Sequence, residues 1–465
     1  MPSIGTSLRT LMRIAPYRFQ IRGVRFFEQH NGRALNCDDM GLGKTYQAIG
    51  WLTLHPEARP VIIVCPSSMK YVWQDELQKF AGLHSEVLQG KTPYQPAGKI
   101  WIINYEILAS SHLNEAEKRI FPWVLALLRT EARTLILDEC HYIKERRSQR
   151  TQACKLLSKQ MQYIQALSGT PITNRPVEFF PVLNIVAPQT FPSFWEYAFR
   201  YCDPKPGFRG RGWDFRGASN IEELHKLSSQ HIIRRTKEEV LPELPKKTRI
   251  VIPVEITNRR EYKTAEDHFL HWLGINEGGE AVKRARKAEA LVKLGKLQEI
   301  AARGKLPVIR KWIEDWLEET EEKLVVFTTH RTIISELRKA FPMSAMIDGS
   351  VSNIDREKEK RRFQEDKKCR LFFGSIKAAG VGLTLTASST VLFIELGWTP
   401  AVHDQAEDRV LRIGQTSKKV LIYYMIGKET VEESILSLIE RKRKVIGQVV
   451  DGREILETIL RRQEK

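Results

Sequence analysis

The 465-residue chain contains no run of about 18 apolar residues, which argues against a membrane-spanning helix. Its N-terminus also lacks the hydrophobic stretch of a secretory signal. A soluble, intracellular protein with no membrane partner is expected, cytoplasmic in a prokaryotic or viral host and nuclear in a eukaryotic one. Cysteine is sparse. The six residues Cys37, Cys65, Cys140, Cys154, Cys202 and Cys369 show no CxxC or Cys/His spacing, so neither a zinc site nor a disulfide framework is indicated and the thiols read as reduced, mostly packing residues. No repeat of solenoid period and no low-complexity tract stands out. Negative charge is short as well, with 56 Asp and Glu against 74 Lys and Arg and a formal net charge of +18. Such an excess points to a polyanionic partner, because cations that neutralise phosphates release condensed counterions. Nucleic acid is the first candidate, and an acidic membrane surface is the competing one.

What the chain does have is length and alternation. Its size suits two domains of roughly two hundred residues or more, and a hydrophobic content of 42% is ample for both cores. The apolar runs VIIVCP (61–66), KIWIINY (99–105), TLILDE (134–139) and QYIQALSGT (162–170) fit buried strands separated by helical stretches, the alternation of a parallel α/β sheet. A second series, KLVVFTTH (323–330), SAMIDGS, RLFFGS, TVLFIEL and KVLIYYMI, predicts a second sheet of the same kind. We expect a first domain over 1–240 with an irregular and helical insertion near 185–230, a linker at 241–254 built on LPELPKKTR, and a second domain over 255–465. The second opens with a charged helical insertion at about 255–305, broken by GINEGGE at 274–280. The loop DPKPGFRGRGWDFRGASN (203–220) interleaves Trp213 and Phe215 with Gly, Pro and Arg; these aromatics either stack on exposed bases or pack the loop down.

Asp38–Thr45 reads DDMGLGKT, a phosphate loop. Such a loop needs glycines so that backbone N–H groups point at the phosphates, a Lys for the β and γ oxygens, and a hydroxyl for Mg²⁺. Gly41, Gly43, Lys44 and Thr45 supply these, with Met40 and Leu42 between them and Asp38 where a first glycine usually stands. The following YQAIGWLTL predicts a helix whose N-terminus faces the anion. LILDECH ends a strand with Asp138, which would hold Mg²⁺ directly or through water, and Glu139, which would orient the attacking water. Ser168, Gly169 and Thr170, at another strand end, are expected beside the same cleft, where they would connect nucleotide state to another ligand; His141 reads either as part of that coupling set or as an ordinary polar loop residue. Far downstream, QAEDRVLRIGQ (405–415) places Arg409 and Arg412 one helical turn apart on one face. Alone, that pair fits a solvated surface as well as a phosphate clamp. A phosphate loop, however, lacks mobile cations for the transferred phosphoryl group.

In their order these segments resemble the SNF2 branch of the superfamily 2 helicase-like ATPases. YRFQIRGVRFF (17–27) resembles the adenine-reading segment, with Gln20 as the base contact. DDMGLGKT is similar to motif I, VIIVCPSSMKYVWQDEL to motif Ia, DECH to motif II and LSGTPITN to motif III. VVFTTH, FGSIKAAGVGLTLTAS and QAEDRVLRIGQ are similar to motifs IV, V and VI. Asp39 stands where the family usually has Glu, and Cys140 where Ala is commoner; neither change removes a catalytic group. The narrower stretches 201–224 and 395–415 resemble the annealing-helicase, fork-remodelling branch.

The resemblance implies two tandem RecA-like lobes with helical insertions, ATP and Mg²⁺ as ligands, and Arg409 and Arg412 as arginine fingers. It implies Ser375, Gly380 and Gly382 between nucleotide and DNA backbone, and Arg234, Arg235 and Lys237 as DNA-phosphate contacts or as a solvated basic face. It also implies translocation on duplex or forked DNA. Motif-like sequence begins near residue 16 and runs nearly to the C-terminus, and no fork-reading or chromatin-reading appendage is recognised, so protein partners for targeting and a monomeric state are expected. Two other readings stay open: an ATP-gated DNA-binding clamp that needs a partner for turnover, and a strand-separating DNA or RNA helicase.

Overall fold

The computed structural model describes residues 3–169, 175–207, 212–274, 280–351, 353–376, 383–412, 414–417 and 419–450. They fall into two compact units, the first made of the residues up to Pro242 together with the C-terminal stretch from Lys442, the second running from Glu243 to Arg441.

In the first unit seven strands make a wholly parallel sheet. From edge to edge they run Ile232–Ile233, Arg33–Asn36, Tyr163–Leu167, Thr134–Asp138, Val61–Cys65, Ile100–Asn104 and Glu86–Val87. The central strands are buried along their whole length, as expected where helices cover both faces of a parallel sheet. On one face Phe27, Trp51 and Trp73 pack with Ile63 and Ile136; on the other, Trp123, Phe179 and Leu183 pack with Val64 and Leu137. The register decides where function collects: Leu167 lies beside both Asn36 and Asp138, and Asn36 lies beside Ile233. The segments that leave those four strand ends therefore emerge together, at the edge where such sheets bind ligands.

The second unit has a six-stranded parallel sheet in the order Lys246–Val254, Lys419–Gly427, Ser388–Phe393, Lys323–Thr328, Leu371–Ser375, Ala345–Ile347. With helices flanking both sheets, the architecture is the expected pair of RecA-like lobes. One expectation is corrected here. Much of the stretch read as a linker is a strand, since Lys246–Val254 pairs with Lys419–Gly427 along nine residues.

Helices Arg259–Gly274 and Glu280–Glu319 flank the GINEGGE break, of which 275–279 lie outside the described residues. The longer one packs Ile309 and Ile313 against Val326 and Leu392 of the sheet. In the 203–220 loop, Lys205–Pro206 pairs antiparallel with Trp213–Asp214. Phe215 is packed edge-on against Phe194, Trp195 and Phe199 and anchors the loop, while Trp213 is 49% exposed. All six cysteines are free and buried. No described helix is long and apolar enough to cross a membrane.

Candidate active site

The phosphate loop leaves the strand Arg33–Asn36 and enters the helix Lys44–Leu54 through Gly43, whose φ of 73° is left-handed. Gly41 is left-handed too, at 87°, so the N–H groups of the loop form a concave nest at a helix N-terminus. The cradle has no room for side chains: a Cβ on Gly43 would lie 2.5 Å from Gln20 Nε2, and one on Gly169 would lie 2.6 Å from Met40 Cγ and 3.3 Å from Lys44 Nζ. Lys44 Nζ donates to the carbonyl oxygens of Asp38 at 2.8 Å and Asp39 at 3.3 Å. Gln20 sits beside the loop, its Nε2 donating to Leu42 O at 3.4 Å while its Oε1 accepts from Tyr17 N at 3.0 Å. The loop therefore meets the helix Arg18–Gln29 directly.

Asp138 ends the neighbouring strand but one and is nearly buried. Trp73 Nε1 donates to its Oδ2 at 2.8 Å and the Glu139 N–H to its Oδ1 at 3.0 Å. Burial first, and then the adjacent charge of Glu139, push its pKa up to about 7, against the Trp73 hydrogen bond and the nearby Lys44. Glu139 has a left-handed backbone, φ 49°, which turns its carboxylate away from the direction an extended strand would give it. His141 Nδ1 lies 3.3 Å from Glu139 Oε2 and 3.1 Å from Ser168 Oγ. The imidazole thus links two strand ends, and the structure brings the loop, Gln20, Asp138, Glu139, His141, Ser168 and Gly169 together. Thr170 lies outside the described residues.

Among the described residues no group of three or more His, Cys, Asp or Glu could hold a metal. An ion at this site would have to complete its shell with phosphate oxygens and water, which suits Mg²⁺ on one carboxylate and a hydroxyl. Asp138 is the carboxylate at this strand end, and Thr45 stands in the first turn of the helix Lys44–Leu54.

Arg234 and Arg235 both reach the segment around the phosphate loop. Arg235 makes a bidentate pair with the fully buried Asp38, its Nε donating to Oδ1 at 2.9 Å and its Nη2 to Oδ2, and it also donates to Phe19 O and, at 3.0 Å, to Gln47 Oε1. Arg234 donates to Cys37 O at 2.7 Å and pairs with Asp39 at 3.2 Å. Lys237 is buried, and its N–H donates to Asp39 Oδ2 at 3.1 Å. The resemblance implied DNA-phosphate contacts or a solvated basic face; the register of Ile232–Ile233 with Arg33–Asn36 aims this segment at the phosphate loop.

In the second unit the helix carrying QAEDRVLRIGQ is Pro400–Glu407, and it stops before both arginines. Arg409 and Arg412 stand in the turn that follows rather than one helical turn apart. They still converge, because Nη1 of each donates to Leu383 O, at 3.4 and 3.1 Å, and Arg412 Nη1 reaches Thr384 Oγ1 at 3.1 Å. A buried ion cluster holds the last residue of the helix. Glu407, fully buried, accepts from Lys247 Nζ at 2.6 Å, from Arg249 Nε and Nη2 at 2.8 and 2.7 Å, and from Tyr424 OH at 2.7 Å. Burial opposes the charges of Lys247 and Arg249, yet the facing carboxylates override it and raise both pKa values. Ser375 ends its strand, buried, level with Thr328; Gly380 and Gly382 lie outside the described residues. Sequence reasoning assigned no role to Trp73, Gln47, Lys247, Arg249 or Glu407. Trp73 and Glu407 lay inside motif-like segments, and for Lys247 and Arg249 the signal was the basic cluster KKTR, which carries no hint of its partners.

A nucleotide cradle at the strand ends of one parallel α/β unit, joined in sequence to a second such unit, defines a nucleoside-triphosphatase of two RecA-like lobes. The family match narrows that class: residues 19–304 match the SNF2-related domain and residues 304–414 the helicase conserved C-terminal domain. The chain belongs to the SNF2-related family and is an ATP-hydrolysing enzyme of that family. It is 35% identical over 448 residues to the human DNA annealing helicase and endonuclease ZRANB3, covering 94% of this chain and 40% of that protein. It is also 35% identical over 444 residues to the SWI/SNF-related matrix-associated actin-dependent regulator of chromatin subfamily A-like protein 1 of Xenopus tropicalis, covering 92% of this chain and 44% of that protein. The chain thus spans less than half the length of these relatives. A solved Sulfolobus solfataricus SWI2/SNF2 ATPase core in complex with dsDNA is similar at 25% identity, with 95% of this chain and 94% of that chain covered and a TM-score of 0.43.

Proposed function

We propose that this chain is a DNA-stimulated ATPase that translocates on duplex DNA and so remodels DNA structures or protein–DNA complexes. The observation that carries the reading is the convergence of the phosphate loop, Gln20, the Asp138–Glu139 pair and His141 at one sheet edge. The loop amides and Lys44 would bind the ATP phosphates, Gln20 would read the base, and Glu139 would hold the attacking water in line. Asp138 and Thr45 would hold Mg²⁺, which neutralises charge on the phosphates when bound. Arg409 and Arg412 would supply the cationic groups that the phosphate loop lacks. His141, bridging Glu139 and Ser168, is suited to pass the state of the nucleotide to a neighbouring segment. The net charge of +18 supports a phosphate-dominated contact with DNA that tolerates any sequence and weakens steeply with salt.

Similarity to a protein described as a DNA annealing helicase favours annealing over strand separation. The test is ATP-dependent displacement of a third strand from a triplex, run beside a forked duplex. Displacement without unwinding is expected; unwinding of the fork without triplex displacement would replace the reading with that of a helicase.

A further inference from the structure

The stretch that leads from the first unit into the second is fastened near each end to a loop with a proposed role in turnover. At its start, the Arg235 guanidinium holds the buried Asp38 carboxylate by two bonds and reaches Phe19 O and Gln47 Oε1. One side chain thereby ties together the phosphate loop, the helix that follows it and the helix that carries Gln20. The main chain adds two bonds, Cys37 N–H to Ile233 O at 2.7 Å and Asp39 N–H to Arg235 O at 3.0 Å. Twelve and fourteen residues after Arg235, Lys247 and Arg249 hold the buried Glu407, with Asp404 and Asp408 paired to them at 3.0 and 3.4 Å. Glu407 is the last residue of the helix before the turn that bears Arg409 and Arg412, and Leu385 N–H closes that turn onto Arg409 O at 2.9 Å.

Buried ion pairs are poor glue, because desolvation offsets most of their attraction; what they specify well is one geometry, since either partner left alone is costly. Each of these two carboxylates is fully buried, and each is met by cations from the same short stretch of chain. Neither cluster sits where a strand or helix needs it for its own hydrogen bonding. Both sit on segments whose exact placement decides nucleotide chemistry.

We propose that residues 234–249 form a two-ended positioning device, Arg235 setting the phosphate loop through Asp38 and Lys247 with Arg249 setting the arginine-bearing turn through Glu407. This rests on the proposed roles of that loop and that turn in ATP turnover. Arg235, Lys247 and Arg249 are positioning residues, acting through the carboxylates they hold. The two ends serve different steps, so they separate kinetically: loosening the Arg235 end weakens capture of the nucleotide, and loosening the Arg249 end slows transfer after capture.

The experiment compares Arg235→Gln and Arg249→Gln in the full chain, measuring affinity for a fluorescent ATP analogue, kcat at saturating ATP with duplex DNA, and thermal stability. Arg235→Gln is expected to weaken analogue binding about tenfold or more with kcat changed by less than about threefold, and Arg249→Gln to do the reverse. Should either protein fail to fold, Gln47→Met and Tyr424→Phe each remove one hydrogen bond from the same carboxylates and shift the same parameter in the same direction by a smaller factor. Variants that melt earlier but keep both constants would overturn the inference, as would variants that change the same constant equally. A wild-type chain that hydrolyses no ATP with any DNA refutes the functional reading instead. Analogue affinity still tests the Arg235 end in that case, and an unchanged value there overturns the inference on its own.

Discussion

Replacing Gly43 by Ala tests the phosphate cradle with a single methyl group. Gly43 has φ of 73°, and the added Cβ would lie 2.5 Å from Gln20 Nε2. A left-handed L-residue costs roughly 1–2 kcal/mol. Gln20 must also swing away, giving up its long bond to Leu42 O and its 3.0 Å bond from Tyr17 N, together about 1–2 kcal/mol. The sum is about 2–4 kcal/mol, or roughly 30- to several-hundred-fold in an equilibrium constant. Because the loop amides are the proposed phosphate ligands, most of that is expected as lost ATP affinity. Gly90 supplies the control: its φ is also 73°, and a Cβ there meets nothing within 4 Å, so Gly90→Ala carries the backbone strain without the collision. Titration with a fluorescent ATP analogue beside thermal melts should find Gly43→Ala weak in binding and Gly90→Ala slightly destabilised but normal in binding. Equal behaviour of the two variants, or normal binding by Gly43→Ala, would refute the geometry.

Glu139→Gln should retain ATP binding and lose about 10²–10³ in kcat, the scale for removing one preorganised group from a transition state; single-turnover quenching separates the two. Trp73→Phe removes the donor to Asp138 Oδ2 and should destabilise by about 2 kcal/mol. In an Asp138→Asn background the cost should shrink by about 1 kcal/mol, and strict additivity in that double-mutant cycle would contradict the coupling. In the second unit, burial opposes the charge on His330, but its hydrogen bond and ion pair with Glu395 outweigh it and raise its pKa, while the same pair lowers Glu395 against its own burial. The pair's stabilisation is full from above the unfolded Glu value, about 4.5, to below the unfolded His value, about 6.5. It is lost as pH rises through the raised His330 pKa. Chemical denaturation should therefore find His330→Gln more costly near pH ~6 than near pH ~9, and an equal cost at both would contradict the pairing.

Much of the architecture was legible because it is written locally. Runs such as VIIVC and TLILD are buried on both faces of a parallel sheet, so their apolar continuity shows in the sequence, and the glycines of DDMGLGKT mark left-handed positions that few other residues tolerate. What was not legible depends on partners far away in the chain. KKTRIVIPV looks like a basic linker until its pairing with a strand some 170 residues later is known. The sign of Arg235 was readable, whereas its direction follows from the register of a two-residue strand against Arg33–Asn36. Arg409 and Arg412 have helical spacing, but the helix ends at Glu407, and the carboxylate of that last residue is captured by Lys247, Arg249 and Tyr424. A periodicity argument cannot see that capture. Trp73 lay inside a recognised motif, yet only the fold shows its indole N–H on the Asp138 carboxylate.

The central claim is that the loop around Lys44 and the turn around Arg412 serve one reaction, driven by DNA. Steady-state ATP hydrolysis by the wild type and by Arg412→Ala, each with single-stranded, duplex and forked DNA, tests it most directly. The account predicts stimulation of the wild type by duplex or forked DNA, with Arg412→Ala slower by roughly 10³-fold or more while still binding ATP and DNA. No stimulation by any DNA, or near-normal turnover by Arg412→Ala, would contradict it.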